Sequence, residues 1–155
     1  MKKAIAWGLC VLWMGLIFSM SAQTAAVSDI QSEQVAGLMQ QILSLLSFGR
    51  FSIPPDSLNL VIRKIAHFAE YAVLGLLLRR ALRLSGVKHA GLAAVALSAF
   101  YAVTDELHQG FVDGRSPRML DVVIDTLGAS AGAWFHSFAE HAGRTRFLFR
   151  KTVQK

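Results

Sequence analysis

Charged and imidazole side chains enter otherwise apolar stretches of this chain at helical spacing. Arg63, His67, Glu70, Tyr71 and Leu74 recur at steps of three and four; so do Ser98, Tyr101, Asp105, His108 and Gln109, and then Asp121, Asp125, Gly128 and Gly132. On a helix each set forms one stripe. Glu106 points about 100° away from Asp105 if the helix persists there. Three chemistries suit these residues. Arg63, Lys64, Arg115 and Arg118 can hold phosphate or carboxylate groups, the arginines by paired hydrogen bonds. His67 with Glu70, and Asp105 with His108, are pairs one turn apart that can present metal ligands from two facing helices. Glu106 would then be a base. A network of Arg63, Glu70, Asp105, Arg115, Asp121 and Asp125 can also simply lock helices together, although buried ions are weak evidence of stability. No long metal signature accompanies the pairs. The reading adopted is a non-enzymatic binding site without a cofactor; a metal site, if present, would use His67, Glu70, Asp105 and His108.

The elements that carry these stripes are predicted to span a membrane. Of the 155 residues 54% are hydrophobic and only 17% charged, against about 25% charged in soluble domains. A soluble chain this short buries too little surface to hide so many apolar residues; a bilayer removes the difficulty. The expected architecture is all-α, a polytopic four-helix transmembrane bundle with spans near 4–22, 60–80, 88–106 and 119–139. The second and third apolar runs are short for a hydrocarbon core of about 30 Å. The second helix is therefore expected to begin earlier, near Asp56-Ser57 after Pro54-Pro55. The first run is preceded by Lys2 and Lys3 and followed by small residues, a pattern shared with cleavable signal peptides. Trp13 and Met14 prolong it beyond what a signal needs. A membrane domain over 1–143 and a basic tail over 144–155 complete the expected organisation.

Charge orients the spans. The amino terminus, the 79–89 loop and the carboxyl tail hold eleven Lys and Arg residues and one acid, Glu140; the opposite side holds five cations and nine acids. Short basic loops stay in the cytoplasm, so both termini are expected inside a multi-pass cell-membrane protein. All three stripes then fall at the outer end of the bundle, although helical phase and loop charge are independent observations. Between the first two spans Val35, Leu38, Met39, Ile42, Leu45 and Leu46 recur at helical spacing. They predict an amphipathic helix on the outer surface or over the bundle.

Other features have plainer readings. The net charge of +6 lacks the aromatic interleaving of a nucleic-acid surface, and its basic residues read as topology signals. His89, His136 and His141 are expected near the inner interface. Cys10 is the only cysteine, so no disulfide framework exists. Ser116 follows Arg115 without an identifiable serine triad.

The stretch Arg63-Lys64-Ile65-Ala66-His67-Phe68-Ala69-Glu70-Tyr71, followed by Asp105-Glu106-Leu107-His108-Gln109 through Gly114-Arg115 and then Asp121, resembles the VanZ-like family. Trp13 and the Ser19–Ser21 segment fit it too, and the resemblance spans roughly Leu9 to Ala133. It implies a four-helix membrane protein. The family is named after a member linked to low-level resistance to the glycopeptide teicoplanin and has no settled biochemical activity. Asp125 stands where the family commonly has Asn, adding an acid in need of a partner such as Lys64 or Arg115. The expected partners are the bilayer and an anionic lipid-linked envelope molecule or a lipoglycopeptide, held by the cluster above.

Overall fold

The computed structural model describes the backbone of residues 1–48, 50 and 53–153, and the side chains of these as far as His136. Among the described residues are five helices and no strand: α1 (Lys2–Ser21), α2 (Ala25–Leu46), α3 (Pro55–Leu84), α4 (Ala90–Gln109) and α5 (Met119–Val153).

Local signals set the helix ends. Pro55 occupies a first-turn position of α3, where its missing N–H costs nothing, and Asp56 faces the positive end of the helix dipole. At the other end Gly86 takes φ +83°, while Val87 N–H donates to the Leu82 carbonyl and Gly86 N–H to that of Arg83. That is a Schellman stop, which favours glycine because other residues strain at positive φ. The helix thus runs through Arg63-Lys64 and Arg79-Arg80 and exceeds the 60–80 span at both ends, because backbone hydrogen bonding is indifferent to where the charges lie. Likewise α5 continues well beyond residue 139. The side chains of His141 and of the basic tail lie outside the described residues.

Three long-range hydrogen bonds place α1. Trp7 Nε1 donates to Ser85 Oγ (3.1 Å) and Trp13 Nε1 to the Glu70 carbonyl (2.9 Å), so α1 runs antiparallel to α3. The Tyr101 hydroxyl donates to the Met14 carbonyl (2.7 Å), tying α4 to the same helix. The broadest helix contact joins α3 to α5, with α4 against both. A seam without side chains makes it. A Cβ at Gly75 would collide with the Ala129 carbonyl oxygen, one at Gly128 with that of Phe68, and one at Gly132 with that of Ala72. Small residues let two backbones approach in this way.

The core is a narrow column. On α1 only Ala6, Cys10, Ile17 and Ser21 are buried; α4 buries Ala90, Ala94, Ser98 and Ala102 at steps of four and then Asp105, Glu106 and Gln109. Val11, Leu12, Leu92, Phe100, Leu127 and Trp134 stand exposed on the outside of the bundle. Two helices, Lys2–Ser21 and Ala90–Gln109, are long and apolar enough to cross a membrane by length and composition.

Helix α2 lies antiparallel on α3, and its orientation is informative. Gln40 Oε1 accepts the Ile53 N–H (3.3 Å), and Asp29 meets Arg63 at the far end. It buries only Ser32 and Ala36. The stripe Val35, Leu38, Met39, Ile42, Leu45 and Leu46 is exposed, so α2 turns its small, polar face to the bundle and its apolar face, apart from Val35 at the edge of a cleft, away.

Candidate functional site

Facing turns of α3 and α5 bring their polar residues into register. Lys64 Nζ donates to Asp121 Oδ1, and one turn further His67 Nδ1 lies 3.4 Å from Asp125 Oδ1. Asp125 is fully buried. Its neighbour is therefore His67, which corrects the expectation of Lys64 or Arg115: Lys64 sits one turn too high and is taken by Asp121, while the Arg115 guanidinium is engaged by the end of α4. Arg63, the next cation up, reaches Asp29 of α2 at 2.7 Å.

The end of α4 supplies a second chain of contacts. Gln109 Nε2 donates to Asp105 Oδ2 (3.2 Å), and Arg115 Nη1 donates to Gln109 Oε1 (3.3 Å). Burial, with the Arg63 guanidinium next in effect, holds Arg115 below its ordinary pKa. Glu106 has another task. Its Oε2 accepts the backbone N–H of Arg118 at 2.7 Å, satisfying a donor at the opening of α5 from a different helix. Its side chain is thus buried despite lying off the Asp105 stripe.

His108 does not join His67. Its ring stacks on Phe18 with centroids 4.4 Å apart, and its Nε2 is buried without a hydrogen-bond partner among the described residues. No group of three or more His, Cys, Asp or Glu side chains among the described residues is arranged to hold a metal ion, so the four donors proposed from spacing are not gathered into one site. Tyr71 is fully buried with its ring 6.3 Å from that of Tyr101.

Two clefts open beside this cluster. One, of about 230 Å³, lies between the end of α1, α2 and α3; Met20, Val35, Ile62 and Ala66 make it partly apolar, and Glu70 and Asp105 reach it. The other, of about 370 Å³, lies between α2, the start of α3 and the α4–α5 loop and is polar, with Lys64, Gln109, Arg118 and Asp121 in its walls. Arg63, His67 and Arg115 line both.

Of the twelve residues singled out by spacing, Arg63, Lys64, His67, Glu70, Asp105, Gln109, Arg115 and Asp121 border a cleft. Asp125 stands behind His67; Tyr71, Glu106 and His108 border neither cleft. Sequence reasoning missed Asp29, the Arg63 partner, together with Glu33, Asp56 and Asn59 in the polar cleft. An acid in a hydrophilic connection is ordinary, so nothing local marked them; only the pairing of α2 with α3 does.

No curated protein and no solved structure matches the chain significantly. A family match does cover most of it, from residue 6 to residue 140, taking in α1 through α4, both clefts and the α3–α5 seam. On that match, this chain belongs to the VanZ/LLP1 family.

Proposed function

We propose that the protein crosses the cell membrane four times, through α1, α3, α4 and α5, with both termini in the cytoplasm and α2 along the outer surface. The exposed apolar faces of α1, α4 and α5 support this reading, since apolar area of this kind is costly in water, at about 25 cal/mol per Å². The outward apolar face of α2 suits the interface between headgroups and acyl chains. Labelling with a membrane-impermeant maleimide in whole cells tests the topology in a Cys10→Ala background. Asp113→Cys, in the α4–α5 loop, is expected to react from outside, and Lys88→Cys only after permeabilisation. Reaction of both from outside would refute the arrangement.

The paired clefts then form an outer-face site for an amphiphile. We infer a non-enzymatic role: an anionic headgroup, such as that of a lipid-linked envelope precursor or a lipoglycopeptide, sits against the arginines while its tail follows the apolar cleft. The observation that carries this is the position of Arg63 and Arg115 where a polar and a partly apolar cleft meet. Retaining such a molecule would contribute to tolerance of teicoplanin-type glycopeptides, a role that rests on family membership.

Native mass spectrometry of the detergent-purified full chain tests the headgroup contact. Phosphatidic acid is expected to be retained over diacylglycerol, which lacks the phosphate. The Arg63→Ala, Arg115→Ala double variant loses charge-assisted hydrogen bonds worth roughly 1.5–3 kcal/mol each, so its affinity should fall at least about tenfold. Equal retention of the two lipids by the unaltered protein would overturn the reading.

A further inference from the structure

The polar cleft is not uniformly cationic, and its charges are separated along its length. Because α2 and α3 run antiparallel from the Gln40–Ile53 contact to the Asp29–Arg63 pair, a step of one turn along α2 from Asp29 to Glu33 matches a step back along α3 from Arg63 to Asn59. Glu33 and Asn59 therefore lie level with each other at one end of the cleft. Asp56, one turn before Asn59, lines the same end. Arg115 comes from the α4–α5 loop at the other end, where the Asp113 carbonyl accepts the Ala25 N–H two turns back along α2 from Glu33.

The pairings leave complementary groups open at these ends. Asp29 and Asp121 are used by Arg63 and Lys64. Glu33 and Asp56 form no ion pair among the described residues, and neither does Arg115 or Arg118. Two buried atoms point the same way. Asn59 Oδ1 is an acceptor without a donor, and Arg115 Nε is a donor without an acceptor. Buried polar groups of this kind normally have partners. A simple anion would satisfy the arginine end and leave the acidic end repelling it.

We propose that this cleft recognises a zwitterion: a phosphate at Arg115, and a primary ammonium, with N–H donors, at Glu33, Asp56 and Asn59. An ethanolamine-type phospholipid headgroup and free phosphoethanolamine share this chemistry. The inference rests on the anionic-headgroup reading above and adds the ammonium requirement. It separates ligands that a phosphate contact alone treats alike, because a quaternary ammonium has no N–H to donate.

The full chain in detergent is presented with phosphatidylethanolamine, phosphatidylcholine, phosphatidic acid and diacylglycerol of matched acyl chains, and retention is read by native mass spectrometry. The ethanolamine lipid is expected to bind about tenfold more tightly than the choline lipid, the factor that corresponds to about 1.4 kcal/mol. The Glu33→Gln, Asp56→Asn double variant should abolish that preference while keeping phosphatidic acid bound above diacylglycerol. Both acids are exposed, so the variant should fold; a separate Asn59→Leu variant should reduce the same preference. Displacement of the lipid by millimolar phosphoethanolamine would support the zwitterion and assign a soluble source, whereas its failure to displace would support a lipid source. Equal binding of the ethanolamine and choline lipids, with phosphatidic acid still retained, would overturn the ammonium requirement and leave the phosphate contact standing. Failure of phosphatidic acid to exceed diacylglycerol would remove both.

Discussion

Gly132→Ala is expected to destabilise the protein by about 1–3 kcal/mol, the usual cost of overpacking a close-fitted interior. Alanine is otherwise the better helix former by about 0.8–1.0 kcal/mol, so the sign of the effect is diagnostic. A Cβ at this position has nowhere to go: it meets the Ala72 carbonyl oxygen, and the main chain of α3 cannot swing aside as a flexible side chain would. Gly128→Ala should behave similarly against the Phe68 carbonyl. Gly15→Ala is the control, since a Cβ there has nothing within 4 Å, and it should leave stability unchanged or slightly raised. Thermal unfolding of the purified variants, followed by fluorescence-detected gel filtration, compares the three. A Gly132→Ala protein that melts with the unaltered one would show that α3 and α5 are not held at this distance.

The second large effect is conditional on a partner. His67→Leu removes the polar group 3.4 Å from the buried Asp125 carboxyl, and leaving a buried polar group without a neighbour to answer it costs about 1–3 kcal/mol. Asp125→Asn keeps the shape while abolishing the charge, and Asn is the residue that the family resemblance leads one to expect. In that background His67→Leu should cost about 1 kcal/mol or less, because no stranded carboxylate remains. The double-mutant cycle therefore predicts coupling, measured as the difference in unfolding free energy between the two backgrounds. Equal costs in both backgrounds would mean that His67 packs near Asp125 without answering its charge.

These contacts also indicate what a single sequence can carry. Helical phase placed Arg63, His67 and Glu70 on one stripe and Asp121 with Asp125 on another, because periodicity is a local property. Which residue meets which is not local. The choice of Asp121 for Lys64 and Asp125 for His67 depends on the axial register of helices whose paired residues are 57 and 58 positions apart. The same limit explains α2. Its periodicity declares an apolar face but not which way the face points, and small residues such as Ser32 and Ala36 can pack as well as leucines do. Glu106 illustrates a third case. Its direction on α4 was legible, but its use was not, since the N–H it accepts belongs to the opening of α5 twelve residues on.

The pairing of α3 with α5 across the intervening α4 has a consequence for how the chain is made. A ribosome delivers Arg63, Lys64 and His67 well before it delivers Asp121 and Asp125, and the carbonyls of Phe68 and Ala72 wait as long for the glycines that fit them. During that interval Arg63 already has Asp29 of α2, but Lys64 and His67 lack the acids they meet in the folded chain, and the polar end of α4 turns toward Arg115 and Arg118 instead. On the proposed four-span topology, insertion of α3 is therefore provisional until α5 emerges. A nascent chain halted between residues 110 and 118 would lack the groups that Lys64 and His67 meet, so on that topology the three helices from Pro55 onward would reach their final positions together.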